Sequence, residues 1–127
     1  MPKERGIRLG DLQLRIMRVL WDSGAVTVSE VQQRLGRQRL AYTTVATMLR
    51  KMEERGLVDH LEEGRKFLYR AVVSMDEVTR SMTGDLVDRL FDGSLAEAVS
   101  HLLESREISR EELDRLEQLI QQRKSNR

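Results

Sequence analysis

Apolar residues in the first third of the chain recur at helical spacing, and further along the period changes. Leu12, Ile16, Val19 and Leu20 share one face of a helix expected over Asp11–Trp21, with Arg15 and Arg18 off that face. Ser23-Gly24-Ala25 breaks the pattern, and Val26 forms a short extended piece before Thr27. Thr27 and Glu30 make a capping-box pattern, in which each side chain meets a backbone amide that the first helical turn leaves unpaired. The second helix is expected over Val28–Leu35, with Val28, Val31 and Leu35 inward and Gly36 as its stop. A third is expected over Thr43–Arg55, ended by Gly56, and Val45, Met48, Leu49 and Met52 fall on one complete inner stripe. Opposite them, at about 100° per residue, Thr43, Thr47, Arg50 and Glu54 point outward, flanked by Ala46 and Lys51.

After Gly56 the pattern becomes that of strands, expected at 57–61 and 66–72 and separated by Glu62-Glu63-Gly64-Arg65. Gly64 supplies the positive φ that a tight hairpin needs. Ser74 with Glu77 repeats the capping-box pattern and opens a long helix to about Phe91, striped by Val78, Met82, Leu86 and Leu90. Asp92-Gly93-Ser94 is a break. A helix carrying Leu95, Ala98, Val99, Leu102 and Leu103 follows, and Ser109 with Glu112 opens a last one carrying Leu113, Leu116 and Ile120. The polar end, Gln121 to Arg127, is expected to fray. The fold class is therefore mainly α with a small β-hairpin: a winged helix-turn-helix over 1–73, followed by a helical segment over 74–127.

Charge sharpens this division. Residues 1–73 hold 14 Lys and Arg against 9 Asp and Glu, a balance of +5, whereas residues 74–127 hold 8 against 12, a balance of −4. A basic first half joined to an acidic second half is expected if only the first half faces phosphate. The absence of cysteine removes disulfides, thiolate metal sites and cysteine nucleophiles. No apolar run is long enough to span a bilayer and the Met1–Arg5 start lacks a secretory signal, so a cytoplasmic location without membrane insertion is expected. The two histidines, His60 and His101, stand far apart outside any ligand or nucleophile motif, and the Glu53-Glu54, Glu62-Glu63 and Glu111-Glu112 pairs read as surface carboxylates. No glycine loop cradles a phosphate. Neither an enzyme, a metal site nor a cofactor is expected.

Three short helices followed by a hairpin in about 70 residues is the order of a winged helix, whose third helix lies in the major groove of DNA. Thr43, Thr44, Thr47, Arg50 and Lys51 on that helix suit contacts to bases and phosphates, and Arg65 and Lys66 on the hairpin suit contacts to the backbone. A solvated helix face and a polar turn carry the same residue types, so it is their joint placement that favours DNA. The second half needs another surface for its apolar stripes, and a second copy is the economical partner. Leu86, Leu90, Phe91, Val99, Leu102, Leu103, Leu113, Leu116 and Ile120 are the residues expected at that contact, against the alternative that they pack within one chain.

The run Leu40-Ala41-Tyr42-Thr43-Thr44-Val45-Ala46-Thr47-Met48-Leu49, then Glu54-Arg55-Gly56-Leu57-Val58, then Gly64-Arg65-Lys66 ahead of Tyr69, resembles the BlaI/MecI family of penicillinase repressors, as does the Leu14–Trp21 stretch. The resemblance implies a winged-helix transcriptional repressor that binds a palindromic operator in double-stranded DNA as a homodimer. Thr44, Thr47 and the neighbouring basic positions would lie in its reading helix. It implies control of β-lactamase, penicillin-binding or sensor-protease genes, and induction by cleavage that a membrane sensor-protease sets off. The cleavage position, commonly an Asn-Phe bond, aligns with His101-Leu102 here, a departure from the motif. The cysteine-rich metal site of the copper-responsive branch has no counterpart in this chain. Two other readings stay open on the sequence: a ligand-responsive winged-helix regulator, and a winged helix used as a protein-interaction module.

Overall fold

The computed structural model describes residues 6–36 and 40–126. The element order is α1 (Asp11–Ser23), α2 (Val28–Arg34), α3 (Tyr42–Glu54), β1 (Val58–Glu63), β2 (Lys66–Ala71), α4 (Met75–Phe91), α5 (Leu95–Ser105) and α6 (Arg110–Ser125). This is the mainly helical class with one hairpin that the sequence pattern predicts. Met1–Arg5, on which the reading of no secretory signal rests, lies outside the described residues. The chain divides into two compact units, Met1–Gly84 and Asp85–Arg127, so the division falls within α4.

Hydroxyl caps start four of the six helices. The Thr27 amide donates to Glu30 Oε1 at 2.8 Å while the Glu30 amide donates to Thr27 Oγ1 at 3.2 Å, closing the box at α2. These hydrogen bonds, with the backbone amide first, hold the Glu30 carboxyl below its usual value of 4.5. Ser74 and Glu77 make the same reciprocal pair at α4, at 2.8 and 3.0 Å. Ser94 and Ser109 accept from the Glu97 and Glu112 amides at 3.0 and 3.1 Å. The Ser94 cap turns the expected break at Asp92-Gly93-Ser94 into the start signal of α5.

The core of the first unit gathers the inner faces of α1, α2 and α3 with the base of the hairpin. Ile16, Met17, Val31, Val45, Leu49 and Met52 have no accessible surface. The inner face of α1 is turned towards Met17, and Leu12 and Val19, predicted inward, are only half-buried. At the end of α3, Gly56 adopts φ +81, the Leu57 amide donates to the Met52 carbonyl at 3.0 Å and the Gly56 amide to that of Glu53 at 3.0 Å. This Schellman closure turns the chain directly into β1 and brings the buried Leu57 back over Met52.

β1 and β2 pair antiparallel from Val58↔Ala71 to Glu63↔Lys66, which leaves a loop of only Gly64 and Arg65. The strands reach further into the predicted four-residue turn because Glu63 and Lys66 pair across the ladder with opposite charge. Gly64, with φ +64, holds the first loop position, where a type II′ turn demands it. The face holding Val58 and Tyr69 is buried, and on the other face Asp59 accepts from Arg70 Nε at 2.7 Å. Tyr69 also exchanges two backbone hydrogen bonds with Val26, at 2.8 and 3.0 Å, so the segment before α2 adds a short third edge at the hairpin's base. Trp21 Nε1 donates to the Val73 carbonyl at 2.9 Å, tying α1 to the exit from β2. Val78 of α4 is buried and Met82 half-buried against this core.

The second unit is differently built. Ala98 is its one buried residue among those described. Leu86, Leu90, Leu95, Leu102, Leu103, Leu113, Leu119 and Ile120 are all at least 41% exposed. The polar end does not fray where predicted, since α6 continues to Ser125. Arg123 and Lys124 in its last turn complement the negative end of the helix dipole.

Two outcomes follow from the first unit. Leu49→Ala, which empties a fully enclosed site, should cost about 3 kcal/mol, read by denaturant unfolding. Glu30→Gln should lower the melting temperature at pH 7. Because the folded carboxyl titrates below its unfolded value, the difference should be present above about pH 4.5 and shrink as pH falls through the folded value.

Candidate nucleic-acid interface

The buried stripe of Val45, Leu49 and Met52 sets which side chains of α3 face outward. Thr43, Thr44, Thr47, Arg50, Lys51 and Glu54 are all exposed. Thr43, Thr44, Thr47 and Lys51 line one shallow depression together with Met48. Arg50 leans to the other flank, where Tyr42, Ala46, Arg50 and Glu53 stack at successive turns and form one wall of a groove of about 530 Å³. Arg65, Lys66, Phe67, His60 and Tyr69 of the hairpin form the opposite wall, and Thr27, Val28 and Ser29 at the start of α2 close it. The structure thus brings all seven predicted DNA-binding residues to α3 and the adjoining wing.

Among the described residues, Arg50, Lys51, Arg65 and Lys66 belong to none of the ion pairs, which join Glu53 to His60, Asp59 to Arg70, Asp76 to Arg80 and Asp85 to Arg89. These four cations, on two adjoining elements, present positive charge suited to phosphate. Tyr42, half exposed at the first position of α3, belongs to this surface and was not predicted from the sequence. Its signal was its spacing, four and eight residues before Ala46 and Arg50. Burial raises the Tyr69 phenol above its usual 10.0, so that it stands in the groove as a neutral hydroxyl.

His60 and Phe67 of the hairpin wall are also absent from the predicted set. His60 Nδ1 lies 2.9 Å from both carboxylate oxygens of Glu53. Its ring stacks on that of Phe67 with centroids 4.2 Å apart and planes 19° apart. Among the described residues no three His, Cys, Asp or Glu side chains gather in a way that would hold a metal.

The residues predicted for dimer contact all lie in the second unit. Leu86, Leu90, Leu102, Leu103, Leu113 and Ile120 are exposed, whereas Phe91, Val99 and Leu116 are half-buried. Leu95, Val99, Leu103 and Ile120 line one apolar depression between α5 and α6. His101 and Leu102 lie mid-helix in α5, both exposed, and His101 approaches Phe91 at 6.0 Å between ring centroids.

The sequence pattern of the penicillinase repressor family matches residues 9–122. The chain belongs to the penicillinase repressor family. It is 26% identical over 121 residues to the penicillinase repressor of Bacillus licheniformis, covering 94% of each chain. It is 35% identical over 100 residues to the transcriptional regulator BlaI of Mycobacterium tuberculosis, covering 76% of this chain and 72% of that one. Its fold is similar to the solution structure of the DNA-binding domain of the repressor BlaI, with a TM-score of 0.50 and 27% identity over 55% of this chain and 87% of that domain. As a member of this family the chain is a DNA-binding transcriptional repressor. No helix among the described residues is long and apolar enough to cross a membrane.

Arg50→Ala and Lys51→Ala should each weaken binding to a selected duplex by roughly tenfold, within the range of about 1–3 kcal/mol for one good contact. Each loss of a phosphate contact should lower the slope of log affinity against log salt by about one. Fluorescence anisotropy titrations across a salt series measure both.

Proposed function

We propose that this repressor binds a palindromic operator as a homodimer, with α3 of each copy in the major groove and the hairpin on the flanking backbone. Thr43, Thr44 and Thr47 offer hydroxyls and methyls to base edges, Arg50 and Lys51 reach bases or phosphates, and Arg65 and Lys66 hold the backbone beside them. The observation that carries this reading is the set of four cations on α3 and the wing that lie outside the ion pairs of the described residues: Arg50, Arg65 and Lys66 line one groove, and Lys51 lines the depression beside it on α3. In the cell such a surface is neutralised by something outside the chain, and duplex DNA presents phosphates along a line that two adjoining elements can follow.

The second unit supplies the pairing surface. A unit of 43 residues whose single buried side chain among the described residues is an alanine cannot hold its helices by internal burial alone. A second copy presents the same leucines and isoleucine and closes the face by symmetry. Two reading helices about one DNA turn apart then engage two half-sites, and their affinities multiply rather than add. The target genes proposed from the family are those for β-lactamase, penicillin-binding proteins or a sensor protease, and a membrane sensor-protease is the proposed source of induction.

Selection of bound fragments from genomic DNA, followed by titration of the recovered site, tests the reading. A palindromic site that takes up two copies, with affinity falling steeply as salt rises, is expected; no enriched site and a flat salt response would sink it. For the pairing surface, Leu102→Asp with Leu113→Asp should halve the mass seen by sedimentation equilibrium. The same variant should weaken binding to the full palindrome by about 100-fold or more while leaving a single half-site nearly unaffected.

A further inference from the structure

The hairpin is anchored to the core only at its base. Val58 and Tyr69 are the buried members of its ladder, and Tyr69 is also the residue bridged to Val26. Beyond them lie His60 to Glu63, the Gly64-Arg65 loop, and Lys66 to Leu68, which include both wing cations. An isolated two-stranded ribbon is marginally stable in water, so a tip of this length has a loosely fixed position unless something braces it.

One cluster reaches that tip from α3. The Glu53 carboxylate is acceptor-only, so His60 Nδ1 must carry the proton and donate it across the 2.9 Å contact. His60 lies on the inward face of β1, opposite Tyr69 in the ladder. Phe67 stands on the same face two residues nearer the loop, and its ring is stacked on the imidazole. Phe67 is 44% exposed, and it is bonded directly to Lys66. A chain of contacts therefore runs from α3, whose inner face is fixed in the core, through a carboxylate, an imidazole and a phenyl ring, to the residue beside the wing cations.

We propose that Glu53, His60 and Phe67 form a strut that fixes the distance between α3 and the wing tip, making them positioning residues for DNA binding. The inference rests on the operator-binding reading. With the strut in place, Arg65 and Lys66 meet the backbone in the geometry set by α3, so their contacts form without a further ordering cost. Without it, the two elements bind as loosely linked parts at a lower effective concentration.

The sign of the effect separates this role from plain electrostatics. A carboxylate on a DNA-facing helix repels phosphate, so removing one ordinarily tightens binding. The exposed neighbour Glu54 serves as that control. The test uses the full chain and a duplex recovered by selection from random-sequence DNA, with circular dichroism to verify the fold of each variant. Glu54→Ala should bind as well as the parent or better, whereas Glu53→Ala and Phe67→Ala should each bind about five- to tenfold more weakly. Both should also lower the salt slope, and combining either with Arg65→Ala and Lys66→Ala should add little to the loss that those two cause alone. Tighter binding by Glu53→Ala, or losses that simply add to those of the wing cations, would overturn the strut while leaving the repressor reading intact. A parent protein with no salt-dependent duplex binding overturns both.

Discussion

Val45, Leu49 and Met52 have no accessible surface, and that stripe fixes the rotation of α3 about its own axis. A helix is read by DNA through whichever side chains it happens to turn outward, so a rotation of one residue, about 100°, would exchange the threonine and cation face for a mixed one. The enclosing residues come from three directions: Ile16, Met17 and Leu20 from α1, Val31 from α2, and Val58 and Tyr69 from the hairpin. Hydrogen bonds support the same placement at the rim. Arg55 at the end of α3 donates to the Arg8 carbonyl at 2.9 Å, and Gln13 Nε2 reaches Met48 Sδ at 3.5 Å. Interior packing at close to crystal density tolerates few alternative rotations, so the outer face inherits its precision from the inner one.

The two units solve opposite problems. The first encloses its apolar residues and leaves Arg50, Lys51, Arg65 and Lys66 outside the ion pairs of the described residues. The second leaves its leucines open and carries the acidic excess of the chain. Each unit is thus chemically incomplete by itself in a different sense, one towards polyanions and the other towards apolar surface.

Much of the fold was legible because local signals agreed with one another. The Thr27/Glu30 and Ser74/Glu77 boxes, the Gly56 stop and the switch of period after it placed elements to within one or two residues of where they stand. What escaped the sequence depends on tertiary placement. Met17 follows the expected stripe of α1 by one position, and only the docking of α2 and β2 decides which neighbour is enclosed. The hairpin loop is shorter than predicted because the Glu63↔Lys66 pair extends the ladder, a cross-strand effect invisible to a reading of one strand at a time. The cationic positions of α3 and the wing were readable from helix spacing and turn placement. His60, Phe67 and Glu53 were not, since they meet through contacts between elements separated along the chain.

The hydrogen bond from Trp21 to the Val73 carbonyl joins the first helix to the point where the hairpin hands over to α4. Trp21 is the chain's single tryptophan. Its indole is half-buried and its one N–H donor is committed to that junction. The chain thus carries an optical probe inside its first unit, where α1 meets the exit from the hairpin. Its emission wavelength and quenching report whether that contact is kept, in the unlabelled protein and without a substitution.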